Sequence, residues 1–210
     1  MKIEIWSDIM CPFCYIGKRH LEAALKAFPG EEVKIEWKSF QLDPEIVPQP
    51  NKNVYEYLAE RKGMTVEASK QMHEGVVARA AEAGLDYHFE KAVISNSFDA
   101  HRLIQLAKTK GLGDAMEETF FKAYFTDGRD LNNKETLMEL CVATGLNALD
   151  VKEVLEDEDI FAQAVKSDIV EAQQIGVRGV PFFVFDRKYA ISGAQPVEHF
   201  EETIRTVLNA

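Results

Sequence analysis

Two cysteines separated by two residues are the strongest chemical signal in the chain, in the motif Cys11-Pro12-Phe13-Cys14. A pair at this spacing can close to a disulfide and reopen, which indicates thiol–disulfide exchange. The alternatives are that the two cysteines form half of a zinc site or that they have only a structural role. Zinc needs further ligands, usually a second Cys pair or spaced His residues. Because the remaining cysteine, Cys141, stands alone, we favour redox chemistry.

The flanking residues predict that both thiols sit where a strand turns into a helix. Residues 2–6 alternate polar and apolar types, which predicts a half-buried strand, and residues 15–28 have apolar residues at helical spacing. Cys11 then falls at the helix N-cap, with Pro12 at the first helical position. The helix dipole favours a thiolate at Cys11, so we expect Cys11 to be the nucleophile. We expect Cys14, on the inner side of the first turn, to be less exposed and to act as the resolving thiol.

The composition is that of an ordinary globular domain with one large insertion. The chain has 210 residues, of which 46% are hydrophobic and 28% are charged, and a formal net charge of -11. Such an acidic chain is not expected to bind nucleic acid or an anionic membrane. No apolar stretch approaches the length of a membrane span. Met1 and Lys2 lead directly into the first strand without a signal peptide, so we expect a cytoplasmic protein, the alternative being a mature periplasmic form whose leader has been removed.

A second strand follows the first helix, from Val33 to about Leu42. A strand–helix–strand unit of this size predicts two parallel strands with a right-handed crossover. Glu36 and Lys38 project to the face opposite Trp37. One of them could lie near the thiols and accept a proton from Cys14, but a solvated or snorkelling ion pair is the favoured interpretation.

The middle of the chain predicts helices only. A loop over residues 43–53 contains Pro44, Pro48 and Pro50 and marks the start of an insertion. We expect three segments: residues 1–50 as the first half of the sheet domain, 51–175 as a helical subdomain, and 176–210 as the second half. The predicted helices in the insertion are Val54–Lys62, Thr65–Ala83, Ser97–Lys110, Gly113–Thr126, Lys134–Thr144, Asn147–Glu156 and Glu158–Ile175.

Three features of the insertion have a functional and a structural interpretation. In the segment from Asn96 to Arg102, His101 and Arg102 could face the redox site and bind substrate or stabilise a thiolate. The structural alternative, which the pattern favours, is a capped helix start followed by a core histidine. Cys141 lies on an apolar helix face and is expected to be an inert core thiol. The acidic run over residues 153–159 is expected to be a solvated helix junction.

The last part of the chain predicts a hairpin and a helix. Val180-Pro181 precedes an apolar strand over residues 182–185, and a proline belongs at the beginning of a strand because it cannot donate to the ladder. A polar turn and a strand over residues 189–192 follow. A final amphipathic helix begins after Pro196.

In combination these elements resemble the thioredoxin fold with a large all-helical insertion, an α/β architecture of the DsbA-like type. More narrowly, the segments 8–15, 40–44, 96–102 and 179–183 resemble the FrnE-like branch of the DsbA family. The resemblance covers essentially the whole chain. It implies that Pro181 is cis and packs beside the cysteine pair, so that the Val180 backbone can pair with an extended substrate segment.

The resemblance implies a thiol–disulfide oxidoreductase or isomerase that acts on disulfide-containing proteins. Cys11 and Cys14 would be catalytic, with substrate contacts from Pro12, Phe13, His101, Val180 and Pro181. It would need no metal or cofactor, and glutathione or another low-molecular-weight thiol would recycle it. The chain would work as a monomer or homodimer.

A second hypothesis is a glutathione-dependent small-molecule isomerase or transferase, related to 2-hydroxychromene-2-carboxylate isomerase and the kappa-class enzymes. Those relatives usually have a serine in place of the first cysteine. A third hypothesis is a binding or chaperone module without redox turnover.

Periplasmic DsbA proteins typically carry His where this chain has Phe13. Phe13 cannot give the thiolate a positive neighbour, so we expect a less oxidising couple.

Overall fold

The two cysteines follow directly after the first strand of the sheet. In this computed structural model, which describes residues 1–49 and 52–210, β1 spans Lys2–Ser7, α1 spans Pro12–Leu25 and β2 spans Lys34–Ser39. β2 pairs with β1 in parallel, with Ile3 opposite Ile35 and Ile5 opposite Trp37. The predicted strand–helix–strand unit is therefore confirmed.

The end of the chain completes the same sheet. β3 spans Phe182–Phe185, β4 spans Tyr189–Ser192 and α9 spans Val197–Leu208. β3 pairs antiparallel with both β1 and β4, and the strand order in the described residues is β2-β1-β3-β4. The first and last parts of the chain therefore form one sheet, as the thioredoxin-like prediction requires.

Strand β1 is buried on both faces, so the prediction of a half-buried strand is wrong. Ile3 and Ile5 belong to the main apolar core, whereas Trp6 belongs to a second cluster on the other face. Glu4, which the alternation assigns to solvent, is only 1% exposed and forms ion pairs with Lys2 and Arg187. A central strand with a layer of helices on each side hides polar as well as apolar positions.

Helices fill the described part of the chain between β2 and β3. Their bounds are α2 Val54–Lys62, α3 Val66–Glu82, α4 Phe98–Thr109, α5 Gly113–Phe125, α6 Lys134–Ala143, α7 Ala148–Glu156 and α8 Ala162–Gln174. The predicted bounds agree to within about a residue except at α8. That helix begins four residues later than expected, because Phe161 adopts a left-handed conformation with φ of 61° and interrupts the helical backbone.

Side chains cap the starts of two helices in the insertion. The side-chain oxygens of Thr65 and Asn133 accept hydrogen bonds from the backbone N–H groups of Ala68 and Thr136. One apolar core runs from β1 and α1 into α4 and α5. The predicted division of the chain into three segments therefore remains a prediction, and Pro50 with the 50/51 boundary lies outside the described residues.

Candidate active site

Cys11 occupies the N-cap of α1, and Pro12 follows at the start of the helix, as predicted. The Cys11 N–H donates to the Asp8 carbonyl at 2.9 Å, and the Cys11 carbonyl accepts from the Cys14 N–H at 3.0 Å. No side chain caps this helix start. No acceptor side chain therefore neutralises the positive end of the helix dipole next to Cys11.

Cys14 is the more deeply buried of the two thiols, at 1% exposure against 4% for Cys11. Both cysteines are reduced. Burial raises the pKa of the Cys14 thiol well above its usual value, and the adjacent Cys11 side chain raises it further. Cys14 therefore needs assistance to lose its proton.

The loop before β3 closes over the cysteines from the other end of the chain. The peptide bond between Val180 and Pro181 is cis, as the family resemblance implies. The Cys11 thiol donates to the Val180 carbonyl, with a sulfur–oxygen distance of 3.4 Å. The N–H of Val180 donates to no acceptor in residues 1–49 or 52–210. Main-chain groups thus lie beside the sulfur where an extended chain could bind.

A cavity of about 440 Å³ opens beside Cys11, between the start of α1 and the helices α2 and α3. Its walls are mainly apolar, and its size suits a small molecule or a large side chain. Cys11 lines this cavity, so a disulfide could reach a sulfur that has little surface of its own. The apolar lining residues include Met10, Phe13, Leu42, Ile46, Val54, Leu58, Met72, Val76, Phe89, Ile94 and Phe125.

The polar side of the cavity contains a small cluster of bonded groups. The Asp43 carboxylate lies 2.8 Å from the Arg61 guanidinium and accepts a hydrogen bond from the Tyr57 hydroxyl at 2.6 Å. Burial and then the Asp43 hydrogen bond raise the pKa of Tyr57 to about 12, so its hydroxyl remains protonated. This cluster gives the otherwise apolar cavity one fixed polar edge.

His101 lies in the core beneath the cysteines and has no exposed surface. The prediction of a direct substrate contact is therefore wrong, because α4 turns this side chain inward, and the core histidine that the sequence pattern favours is the one observed. Its Nε2 lies 3.6 Å from the carboxylate of Asp8. The neighbouring Arg102 is also buried and bonds to the Asp99 carboxylate and to the Ile160 carbonyl, away from the thiols.

The ion pair at Glu36 and Lys38 does not lie at the thiols. The Lys38 ammonium lies 3.2 Å from the carboxylates of Glu36, Asp168 and Glu171, the last two on α8. Burial alone would raise the pKa of Glu36, but the charges of Lys2 and Lys38 lower it to about 2. The pair is half-buried and fully engaged with other charges, so the predicted role as proton acceptor for Cys14 is not supported.

Cys141 behaves as the sequence predicts. Its side chain is fully buried, and burial raises its pKa to about 12. The acidic run over residues 153–159 is exposed at its carboxylates, as expected of a helix junction. In the described residues, no three His, Cys, Asp or Glu side chains are grouped so as to hold a metal ion. None of the described helices combines the length and the apolar character needed to cross a bilayer.

The fold, the N-cap cysteine and the cis proline can now be set beside known proteins. The family model of the DSBA-like thioredoxin domain matches residues 2–205. The chain belongs to that family. A probable DsbA oxidoreductase from Streptomyces coelicolor has a similar crystal structure, with a TM-score of 0.93 and 41% identity over 100% of this chain and 90% of that one.

Two other similar proteins are more distant in sequence. YwbO of Bacillus subtilis (strain 168), which is uncharacterized, is 27% identical over 96% of this chain and 94% of its own. The cytosolic disulfide reductase DsbM from Pseudomonas aeruginosa, in a structure with GSH, is 16% identical with a TM-score of 0.68, covering 100% of both chains. At that identity the likeness shows a shared fold.

Sequence reasoning missed two parts of this DSBA-like site. Asp8 has no predicted role, although it lies three residues before Cys11 and its carbonyl accepts a hydrogen bond from the Cys11 N–H. The position and the lining residues of the cavity were also not predicted, because its walls come from segments far apart in sequence. A charged residue in an otherwise apolar strand end was the one available signal for Asp8.

Proposed function

We propose that this protein is a thiol–disulfide oxidoreductase that acts on protein disulfides through Cys11 and Cys14. One observation carries the proposal: the Cys11 sulfur lies at an uncapped helix start and beside the backbone of Val180. The first feature favours the attacking thiolate, and the second offers main-chain groups to an extended substrate. Membership of the DSBA-like family supports the same chemistry.

The cycle requires two exchange steps. The Cys11 thiolate attacks one sulfur of the substrate disulfide, forming a mixed disulfide and releasing one substrate thiolate, which takes a proton from water. Cys14 then loses its proton and attacks the Cys11 sulfur, which closes the Cys11–Cys14 disulfide and releases the second substrate thiol. The substrate gains two electrons and two protons; the enzyme supplies both electrons and the Cys14 proton, and water supplies the other proton.

We infer that a low-molecular-weight thiol such as glutathione returns the enzyme to the dithiol. This step would favour reduction or isomerisation in a reducing cytoplasm. The Pseudomonas aeruginosa structure with GSH supports this partner for a protein of the same fold. The motif around the cysteines favours the FrnE-like branch of the family. The dithiol also favours exchange over a one-cysteine mechanism.

Trapping of the mixed disulfide tests the proposal. A Cys14→Ser variant should accumulate a covalent adduct with a disulfide-containing protein, because the resolving thiol is missing. The Cys11→Ser variant should form none. Cys141→Ser is the matched control and should turn over like the wild type, because that thiol is buried away from the site. Equal adduct formation by the Cys11→Ser variant would contradict the proposal.

The cavity beside Cys11 favours one second candidate, a glutathione-dependent isomerase or transferase for a small molecule. A volume of about 440 Å³ with apolar walls suits such a substrate. In that case Cys14→Ser should retain full turnover on a small electrophile, because a single activated thiol suffices. Loss of turnover in that variant would leave dithiol exchange as the function.

A further inference from the structure

The cavity beside Cys11 has two cationic side chains that the exchange of protein disulfides does not use. Arg61 and Lys62 are the last two residues of α2, and both line the cavity together with Cys11. Lys62 forms no ion pair with a carboxylate of residues 1–49 or 52–210. Because the chain as a whole has a formal net charge of -11, an unpaired cation at the cavity of the reactive sulfur calls for an explanation.

The Asp43 carboxylate holds Arg61 in place without occupying all of its donors. One oxygen of Asp43 lies 2.8 Å from Nη2 of Arg61, and the other accepts from the Tyr57 hydroxyl at 2.6 Å. The Nη1 and Nε groups of Arg61 pair with no acceptor in the part of the chain that the structure describes. A guanidinium has five N–H donors and can bind a carboxylate through two of them. Arg61 can therefore contact Asp43 and bind a second anion.

Aromatic rings form much of the remaining wall, including those of Phe13, His73, Phe89 and Phe125. The Nδ1 atom of His73 lies 2.8 Å from the Ser69 carbonyl, and its ring packs edge-on against Phe89 with centroids 4.6 Å apart. A carbonyl only accepts, so Nδ1 carries the hydrogen. Burial lowers the pKa of this imidazole, so the ring is neutral. His73 therefore adds aromatic surface without charge, and the wall suits a flat ring.

We propose that this cavity binds low-molecular-weight aryl disulfides that carry a carboxylate, and that Cys11 reduces them. The aryl ring packs against the aromatic wall, and the carboxylate binds to Arg61 and Lys62. Among the described lining residues Asp43 is the one carboxylate, so two cations and one anion leave a single positive charge for the ligand to neutralise. The inference goes beyond protein disulfides but rests on the proposed attack by Cys11.

The exchange balances without a further reactant. The Cys11 thiolate bonds to the sulfur of the half that the cavity holds, the disulfide bond breaks, and the other half leaves as an aryl thiolate. Cys14 then loses its proton to water and attacks the Cys11 sulfur. This step closes the Cys11–Cys14 disulfide and releases the held half as a second aryl thiolate. The compound gains two electrons, and the two cysteines lose them.

Two chromogenic disulfides test the inference by the rate of dye release. Dithiobis(nitrobenzoate) carries a carboxylate on each ring, whereas dipyridyl disulfide is neutral, and each rate is divided by that of the same compound with a free cysteine peptide. The wild type should favour the anionic compound. Its rate with that compound should fall as salt is added, because screening weakens the attraction to Arg61 and Lys62. The net charge of -11 alone would make the rate rise with salt, so a rise overturns the inference.

Variants at Lys62 measure the contribution of the carboxylate. Lys62→Gln should lower the ratio of the anionic to the neutral rate roughly fivefold, the upper end of what an exposed ion pair contributes. Lys62→Arg keeps the charge and should keep the ratio. Lys70→Gln is the matched control, because it removes an exposed lysine of α3 that is not among the described lining residues. Equal ratios in Lys62→Gln and Lys70→Gln overturn the inference.

Competition with unreactive compounds tests whether the ligand occupies the cavity. Naphthoate, which has an aromatic ring system and a carboxylate but no disulfide, should slow the alkylation of Cys11 by iodoacetamide. Naphthamide lacks the charge and acetate lacks the rings, so both should protect Cys11 much less. No protection by naphthoate overturns the inference. A Cys11→Ser variant that releases dye at the wild-type rate overturns the proposed function instead.

Discussion

The sulfur of Cys11 lies 3.4 Å from the carbonyl oxygen of Val180, the residue before the cis proline. This contact joins the start of α1 to the start of β3 across 169 positions of sequence. It exists because β1 pairs antiparallel with β3, so the C-terminal end of β1 lies beside the N-terminal end of β3. The reactive thiol and the main chain that would hold a substrate therefore share one location.

Close packing of α1 against β3 maintains this location and predicts the effect of a single added methyl group. A Cβ at Gly17 would lie 3.0 Å from both the Pro181 ring and the Phe183 ring. Gly17→Ala should therefore lower the free energy of unfolding by roughly 1 kcal/mol, the overpacking cost exceeding the gain in helix propensity. It should also slow exchange, because the Pro181 ring must shift. Denaturant unfolding and the exchange rate provide the measurements.

Gly75→Ala is the matched control for that prediction. Gly75 lies on the exposed side of α3, and an added Cβ there meets no atom within 4 Å. This variant should be up to about 1 kcal/mol more stable than the wild type and fully active. An active, stabilised Gly17→Ala variant would contradict the close packing at Pro181.

The three thiols should differ in reactivity. Burial raises the pKa of Cys141 to about 12, so its thiolate is scarce near neutral pH. We expect an alkylating reagent to label Cys11 first in the folded protein, and Cys14 and Cys141 only after unfolding, because burial also raises the pKa of Cys14. Mass spectrometry of the labelled chain counts the alkylated cysteines and identifies them. Labelling of Cys141 in the folded state at the rate of Cys11 would argue against its burial.

Local patterns were sufficient to predict the elements and the cysteine chemistry. The motif at Cys11, the alternation in the strands and the caps at Thr65 and Asn133 are encoded within a few residues. The burial of Glu4 and the direction of His101 depend on helices that pack from distant parts of the chain. For that reason the sequence misplaced Glu4 and left both a core and a substrate-facing position open for His101, and it did not locate the cavity.

The buried carboxyl of Glu117 predicts a pH-dependent stability. Burial raises its folded-state pKa to about 8 from the usual 4.5, and one of its oxygens has no hydrogen-bond partner in the described residues. A raised pKa means that the folded state binds the proton more tightly, so this group costs stability as pH rises between those values. The slope is about 1.4 kcal/mol per pH unit.

Glu117→Gln should remove that slope, because the amide is neutral at every pH. Relative to the wild type, the variant should gain stability between pH 5 and pH 8, and the gain should level off above pH 8. Urea unfolding at several pH values measures the difference. If the free energy of unfolding changed with pH in parallel for the two proteins, the raised pKa of Glu117 would be contradicted.

Asp168 holds a charged cluster on the opposite face of the sheet. Its carboxylate accepts from the Ser39 N–H at 3.0 Å and the Gln105 amide at 2.6 Å, and it pairs with Lys38 at 3.2 Å. Asp168→Ala should cost about 3–5 kcal/mol, because it leaves buried partners unpaired. Glu171→Ala removes a more exposed partner of Lys38 and should cost less than about 1 kcal/mol. Similar losses in both variants would contradict this assignment.

The redox equilibrium of Cys11 and Cys14 tests the central claim most directly. The Cys141→Ser protein is equilibrated in glutathione buffers of graded potential and analysed by intact mass. We predict one two-electron transition to an intramolecular disulfide, at a potential more reducing than the roughly -120 mV of DsbA, because Phe13 offers the thiolate no positive charge. A protein that stays fully reduced, or that forms only glutathione adducts, across the whole range would contradict the account.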